Sequence, residues 1–191
     1  MSSDPLSSNL ISTVLAVNET AVLGNLELLF SIIGLLFLLI SSALISGSEV
    51  ALFGLSATDI NQLKEDPEQK GAKTLALLST PKRLLATILI ANNAVNIAIV
   101  LLFTSLSDFW FSGSETLLFG VLSLQTLFDI AIATVLILIF GEILPKIYAN
   151  RNPITVSLRM TPVLSVLDKL FSPLSRPLQS LSHLLEDKLA D

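Results

Sequence analysis

The sequence predicts an all-α integral membrane protein: three transmembrane helices with short cytoplasmic juxtamembrane helices, packed as a homodimer. Three observations carry this. Of 191 residues, 52% are hydrophobic and only 14% charged, against about 25% charged in a soluble domain. The apolar residues gather in three runs, at about 26–55, 84–106 and 117–148, each meeting the roughly 20 residues needed to cross a bilayer. Polar groups inside those runs need shielding from lipid, which three helices alone supply poorly. A second copy, docked through small residues such as Gly120, Ser123 and Ala131, would complete the shield.

Composition removes several function classes. There is no cysteine, so disulfide, zinc-ribbon and thiol chemistry are out of reach. The net charge of -5 argues against a nucleic-acid partner. The single histidine, His183, argues against histidine-rich metal sites. An intramembrane hydrolase built on Ser46 would have no base, because that histidine falls in the cytoplasmic segment. The polar stretch 1–25 has no Lys or Arg, so it lacks the basic region of a signal peptide. It reads as an extracytoplasmic tail.

Between the first two runs, residues 58–83 hold most of the charge of the first half of the chain, and read as a cytoplasmic helical hairpin turning at Asp66-Pro67. After the second run, Trp110 between Phe109 and Phe111 suits an interfacial aromatic belt. Beyond the third run, residues 151–191 show apolar residues at helical spacing, interrupted by Pro153, Pro162, Pro173 and Pro177. Those prolines forbid one long helix, so several amphipathic helices on the membrane surface are expected. Every Lys and Arg lies in 64–83 or 146–188. With three spans both segments share a side, which the positive-inside rule makes cytoplasmic. The protein is therefore expected in the cell inner (plasma) membrane, with its N-terminus outside and C-terminus inside.

Each run carries polar residues. The first has Ser42, Ser46 and Glu49 at i, i+4 and i+7, with Gly47 between small neighbours that could loosen the helix. The second has Asn92, Asn93 and Asn96 crowded on one face. The third holds Asp129, read as a membrane-edge residue, and ends in Ile139-Phe140-Gly141-Glu142-Ile143-Leu144-Pro145-Lys146. Pro145 has no N–H, so the carbonyl of Gly141, four residues back, is expected to lose its helical partner beside the Glu142 carboxylate. Hydroxyl, amide, carbonyl and carboxylate oxygens together suit a hard cation. Two plainer alternatives stand beside this. The serines and asparagines can be packing glue between helices, and Glu142 can pair with Lys146 one turn on.

The stretches 46–53 (SGSEVALF), 84–97 (LLATILIANNAVNI) and 140–146 (FGEILPK), in that order, resemble the transmembrane domain of the CorC/cyclin M (CNNM) family of magnesium transporters. The likeness runs from about residue 27 to the C-terminus and extends to the bacteroidete branch associated with gliding motility. It implies transport of divalent cations, Mg²⁺ first, through an all-oxygen site in a cytoplasm-facing cavity, and allows coupling to Na⁺. It implies a metal site at Ser42, Ser46, Asn92, Asn96, Gly141 and Glu142, with Glu49, Asn93, Pro145 and Lys146 in support. It also implies cytosolic CBS domains downstream, absent from this sequence. The alternative is a membrane anchor or assembly factor without transport.

Overall fold

The first helix, α1, runs from Pro5 to Phe53, so the helix of the first span extends back through most of the N-terminal tail. The computed structural model describes the backbone of residues 5–66, 70–107, 117–118 and 122–189, and the side chains of 24–66, 70–107 and 123–171. Trp110, Pro67 and Gly120 lie outside the described residues. α1 is unbroken through its Ser-Ser-Ala-Leu-Ile-Ser-Gly-Ser stretch. The small residues there serve close packing: Ser42, Ser46 and Ser48 are fully buried.

A hairpin follows. Ser56 caps α2 (Ala57–Lys64) in a reciprocal box with Asp59, which satisfies two otherwise unpaired backbone donors. The chain turns where the Asp66 carboxylate accepts the Gly71 N–H at 2.8 Å, and α3 (Lys70–Leu78) returns. Gly71 is obligatory at this crossing, because a Cβ there would collide with the Leu63 carbonyl.

α4 (Pro81–Ser107) is the second span, opened by a proline at a position where the missing N–H costs nothing. A two-residue antiparallel pairing, β1 (Leu117–Leu118) with β2 (Leu122–Ser123), precedes the third span. That span begins at α5 (Leu124–Leu136), not at residue 117, because Ser123 caps it by accepting the Thr126 N–H. It continues through a π-helical segment, Ile137–Ile143, into α6 (Leu144–Arg151). Among the described residues, three helical stretches are thus long and apolar enough to cross a membrane: Gly24–Phe53, Pro81–Ser107 and Leu124–Arg151. Their outer faces carry exposed Phe30, Phe37, Leu101, Phe128 and Phe140, as expected where the solvent is lipid.

The last element is a single helix, α7 (Pro153–Leu189), where several were expected. Pro153 starts it, and Pro162, Pro173 and Pro177 lie within it. An internal proline removes a helical hydrogen bond and bends the axis. In the first half of α7, tertiary packing outweighs that cost. Met160 and Leu164 are buried with Ile45 and Leu52 of α1 and Leu84, Ile88 and Ala91 of α4. Arg83 clamps Asp168 through both guanidinium Nε and Nη2, at 2.8 and 2.7 Å. A second core, of Leu35, Ile99, Phe103, Leu106, Ala133 and Ile137, joins the three spans toward the other side.

Candidate metal site

The polar residues of the three spans meet between the two apolar cores. Ser42 of α1 donates its hydroxyl to Asn96 Oδ1 of α4 at 2.8 Å, with Asn92 Oδ1 as a second acceptor at 3.4 Å. Asn96 Nδ2 in turn donates to Glu142 Oε1 of the third span at 3.3 Å. The one Ser42 hydroxyl hydrogen therefore faces two amide oxygens, while the Glu142 carboxylate accepts from the Asn96 amide. Ser46, one turn along α1, is buried with no hydrogen-bond partner for its Oγ, although buried polar atoms are ordinarily paired. A cluster of hydroxyl, amide and carboxylate oxygens has the donor chemistry of a hard-cation site.

Gly141 lets the helices approach. A Cβ built on it would lie 2.8 Å from Ser42 Oγ and 3.4 Å from Ser42 Cβ. On the facing side Gly47 sits against the Pro145 carbonyl, with 3.4 Å to a built Cβ. Ser42 and Gly141, and Gly47 and Pro145, are thus paired across one helix–helix contact.

The π-helical segment changes the expected backbone chemistry of the third span. Leu144 N–H bonds to the Ile139 carbonyl, five residues back. Position 145 is next in that register, and its proline has no hydrogen to give to Phe140. Pro145 thus withholds a donor from the Phe140 carbonyl in the π register and from Gly141 in the α register, not from Gly141 alone. A π bulge in a helix marks functional sites often.

The same insertion shifts the side chains around the axis. Glu142 and Lys146 are four apart, but the structure pairs Lys146 Nζ with Glu49 Oε2 of α1, at 3.7 Å. Glu49 and Lys146 so compensate each other beside the cluster, and the Glu142–Lys146 alternative is not the pairing formed. Asn93 also departs from expectation. It is exposed, and its Nδ2 returns to the Leu89 carbonyl of its own helix at 2.8 Å. It reaches the site only as part of a groove of about 390 Å³ that it shares with Asn96, Glu142, Thr134 and the apolar Ile97, Val100, Leu101, Ile137 and Leu138.

Asp129 lies in the second turn of α5, close to the end of the span. It is buried, and accepts from Ser107 Oγ at 2.6 Å, while Gln125 Nε2 donates to the same Ser107 oxygen at 3.2 Å. About thirteen residues separate it from Glu142, roughly 20 Å of helix, so it takes no part in the cluster. Ser107 was not legible as its partner, because that contact depends on where α4 ends. Among the described residues no three His, Cys, Asp or Glu side chains gather as a metal centre. The cluster holds a single carboxylate, Glu142.

A family model, the cyclin M transmembrane N-terminal domain, matches residues 33–189. The chain belongs to the CNNM family. It is 35% identical over 146 residues to a UPF0053 protein of Haemophilus influenzae, covering 73% of this chain and 31% of that one. It is 27% identical over 152 residues to a protein of Caenorhabditis elegans named metal transporter cnnm-4, covering 77% and 30%. A DUF21 domain-containing protein of Arabidopsis thaliana is 27% identical over 155 residues, covering 79% and 32%. The chain spans about a third of the length of these relatives.

Proposed function

We propose that this chain is the membrane domain of a divalent-cation transporter, with Mg²⁺ as the ion carried. The ligands are Ser42, Ser46, Asn92, Asn96, Gly141 and Glu142. The observation that carries the reading is the continuous polar contact Ser42–Asn96–Glu142 across all three spans, beside the unpartnered hydroxyl of Ser46. The name of the C. elegans relative supports the same class.

In this reading Glu142 supplies the charge. Asn92 and Asn96 supply carbonyl oxygens, and Asn96 holds the carboxylate in place through its amide hydrogen. Ser42 and Ser46 supply hydroxyls, and the backbone opened by Pro145 supplies carbonyl oxygen. The Glu49–Lys146 pair supports the site by fixing α1 against α6 without adding net charge. The groove beside Glu142 is flanked by exposed Ile97, Leu101 and Leu138. A second copy of the chain would cover it, which supports the homodimer; cross-linking in native membranes tests this. The charge distribution supports an inner-membrane protein with an outer N-terminus and cytoplasmic α2, α3 and α7. Downstream CBS domains and coupling to Na⁺ complete the proposal.

The test is thermal unfolding of the purified chain with and without Mg²⁺. Binding to the folded state alone raises the midpoint as ligand exceeds Kd, and Glu142→Ala should abolish the shift. An assembly factor whose serines and asparagines only join helices would show no Mg²⁺-dependent shift in either form.

A further inference from the structure

Away from the three-span cluster, a polar trough runs between α3 and α7. It consists of two hollows of about 400 and 430 Å³ that share Lys70, Leu158 and Pro162. Lys73, Thr161 and Ser165 line one end, and Asp66, Thr155 and Arg159 the other. Among the described residues the lining carries Lys70, Lys73 and Arg159 with the Asp66 carboxylate. Asp66 is engaged by the Gly71 N–H. Lys73 and Arg159 are exposed, and neither is in an ion pair with a described residue. The hydroxyl wall is fixed: Thr161 Oγ1 lies 2.6 Å from Thr74 Oγ1, and Ser165 Oγ donates to the Thr161 carbonyl at 2.8 Å.

What adjoins the trough defines its ligand. Arg159 is followed on the same side of α7 by Val163, Val166 and Leu170, spaced by 4, 3 and 4 residues. Those three are 45%, 65% and 65% exposed. One face of the helix therefore passes from cation to bare aliphatic surface within three turns. A soluble phosphate compound needs the cation and gains nothing from the aliphatic row. A phospholipid needs both, the headgroup phosphate on the basic end and acyl chains along the apolar row. We infer that the α3–α7 trough is a binding site for the headgroup of an anionic phospholipid, with Arg159 beside the apolar row and Lys73 at the other end as its basic residues.

The experiment is native mass spectrometry of the full chain in neutral detergent, titrated with phosphatidylglycerol or phosphatidylcholine. The chain should retain phosphatidylglycerol in preference. Lys73→Gln with Arg159→Gln should weaken retention about thirtyfold, two basic residues at the size usual near an anionic surface. Each single substitution should give about fivefold, and these carry the test if the double variant does not fold. Lys64→Gln with Arg151→Gln removes the same charge outside the trough and should change little. Equal retention of the two lipids, or an equal loss in that control pair, overturns the proposal. So does displacement of phosphatidylglycerol by millimolar inorganic phosphate, which would make this a site for free phosphate.

Discussion

Substituting Gly141 by alanine separates a packed, functional contact from a merely tolerant one. The new Cβ would stand 2.8 Å from Ser42 Oγ, closer than two such atoms normally approach. Ser42 must then turn away, giving up its 2.8 Å bond to Asn96, or α1 must shift. Forcing a methyl into a packed contact costs about 1–3 kcal/mol. The interhelical hydrogen bond adds about 0.6 kcal/mol, and the better helix propensity of alanine returns up to about 1 kcal/mol. The net loss is about 0.6–3.6 kcal/mol, or roughly 1–14 °C in the unfolding midpoint for a chain of this size. Gly47→Ala is the matched control. Its Cβ would meet Pro145 O at 3.4 Å, Pro145 Cβ at 3.6 Å and Ala149 Cβ at 3.7 Å, ordinary contacts, so it should be neutral or slightly stabilising. The assay is thermal unfolding of both variants with and without Mg²⁺. Gly141→Ala should lose the metal-dependent shift as well as stability, and Gly47→Ala should lose neither. If both variants behave alike, the Ser42–Gly141 contact does not organise the site.

Four further outcomes are expected. Asn96→Ala should lose Mg²⁺ binding at a folding cost of only about 1 kcal/mol; normal binding by calorimetry would reduce Asn96 to packing. Asp168→Ala leaves Arg83 unpaired at a site where the two side chains are 25% and 18% exposed, and should destabilise by about 1–3 kcal/mol in chemical unfolding; no change would remove the clamp from the account of how α7 is held. The hydroxyl of Ser56, then its backbone N–H, holds the Asp59 carboxyl below the usual range, so its support of α2 is present above the unfolded value of about 3.9 and lost as pH falls through the lower folded value; an NMR titration with an ordinary midpoint, unmoved by Ser56→Ala, would contradict the capping box. Cysteines at Asn18 and Lys64 should label from outside and only after permeabilisation, respectively, and the reverse pattern would overturn the orientation.

The spans and the hairpin were legible because their signals are local. Charge-poor runs of bilayer length and a charged stretch turning at Asp66-Pro67 are each read within a few residues. The meeting of Ser42 with Asn96 was legible at the level of faces, since i, i+4 spacing puts each on a defined side of its helix. The π register at Ile137–Ile143 was not legible, because it depends on how α1 packs against the third span. Two details turn on it: Pro145 withholds a donor from Phe140 as well as from Gly141, and Lys146 pairs with Glu49, so the Glu142–Lys146 alternative is not formed. The continuity of α7 was missed for the opposite reason. Three prolines are a strong local argument for breaks, and burial of Met160 and Leu164 with the Arg83–Asp168 pair supplies tertiary support to its first half.

The pairing of Lys146 with Glu49 bears directly on how tightly the proposed site can hold its ion. With those two charges balanced, Glu142 is the one carboxylate in the cluster, and the remaining ligands are neutral oxygens. A divalent ion in such a site keeps a net positive charge in a low-dielectric surround. Affinity for hard cations rises with the number of charged ligands, so one carboxylate gives a site weaker than a storage or structural centre. Weak, neutral-rich coordination is what passage requires, since an ion must leave as readily as it enters. A second carboxylate at Asn92 would therefore tighten binding and slow transport together. The Asn92→Asp substitution should raise Mg²⁺ affinity in calorimetry while lowering flux in proteoliposomes. A variant that gained affinity and kept its flux would show that release is not limited by this cluster, and that the path of the ion does not run through it.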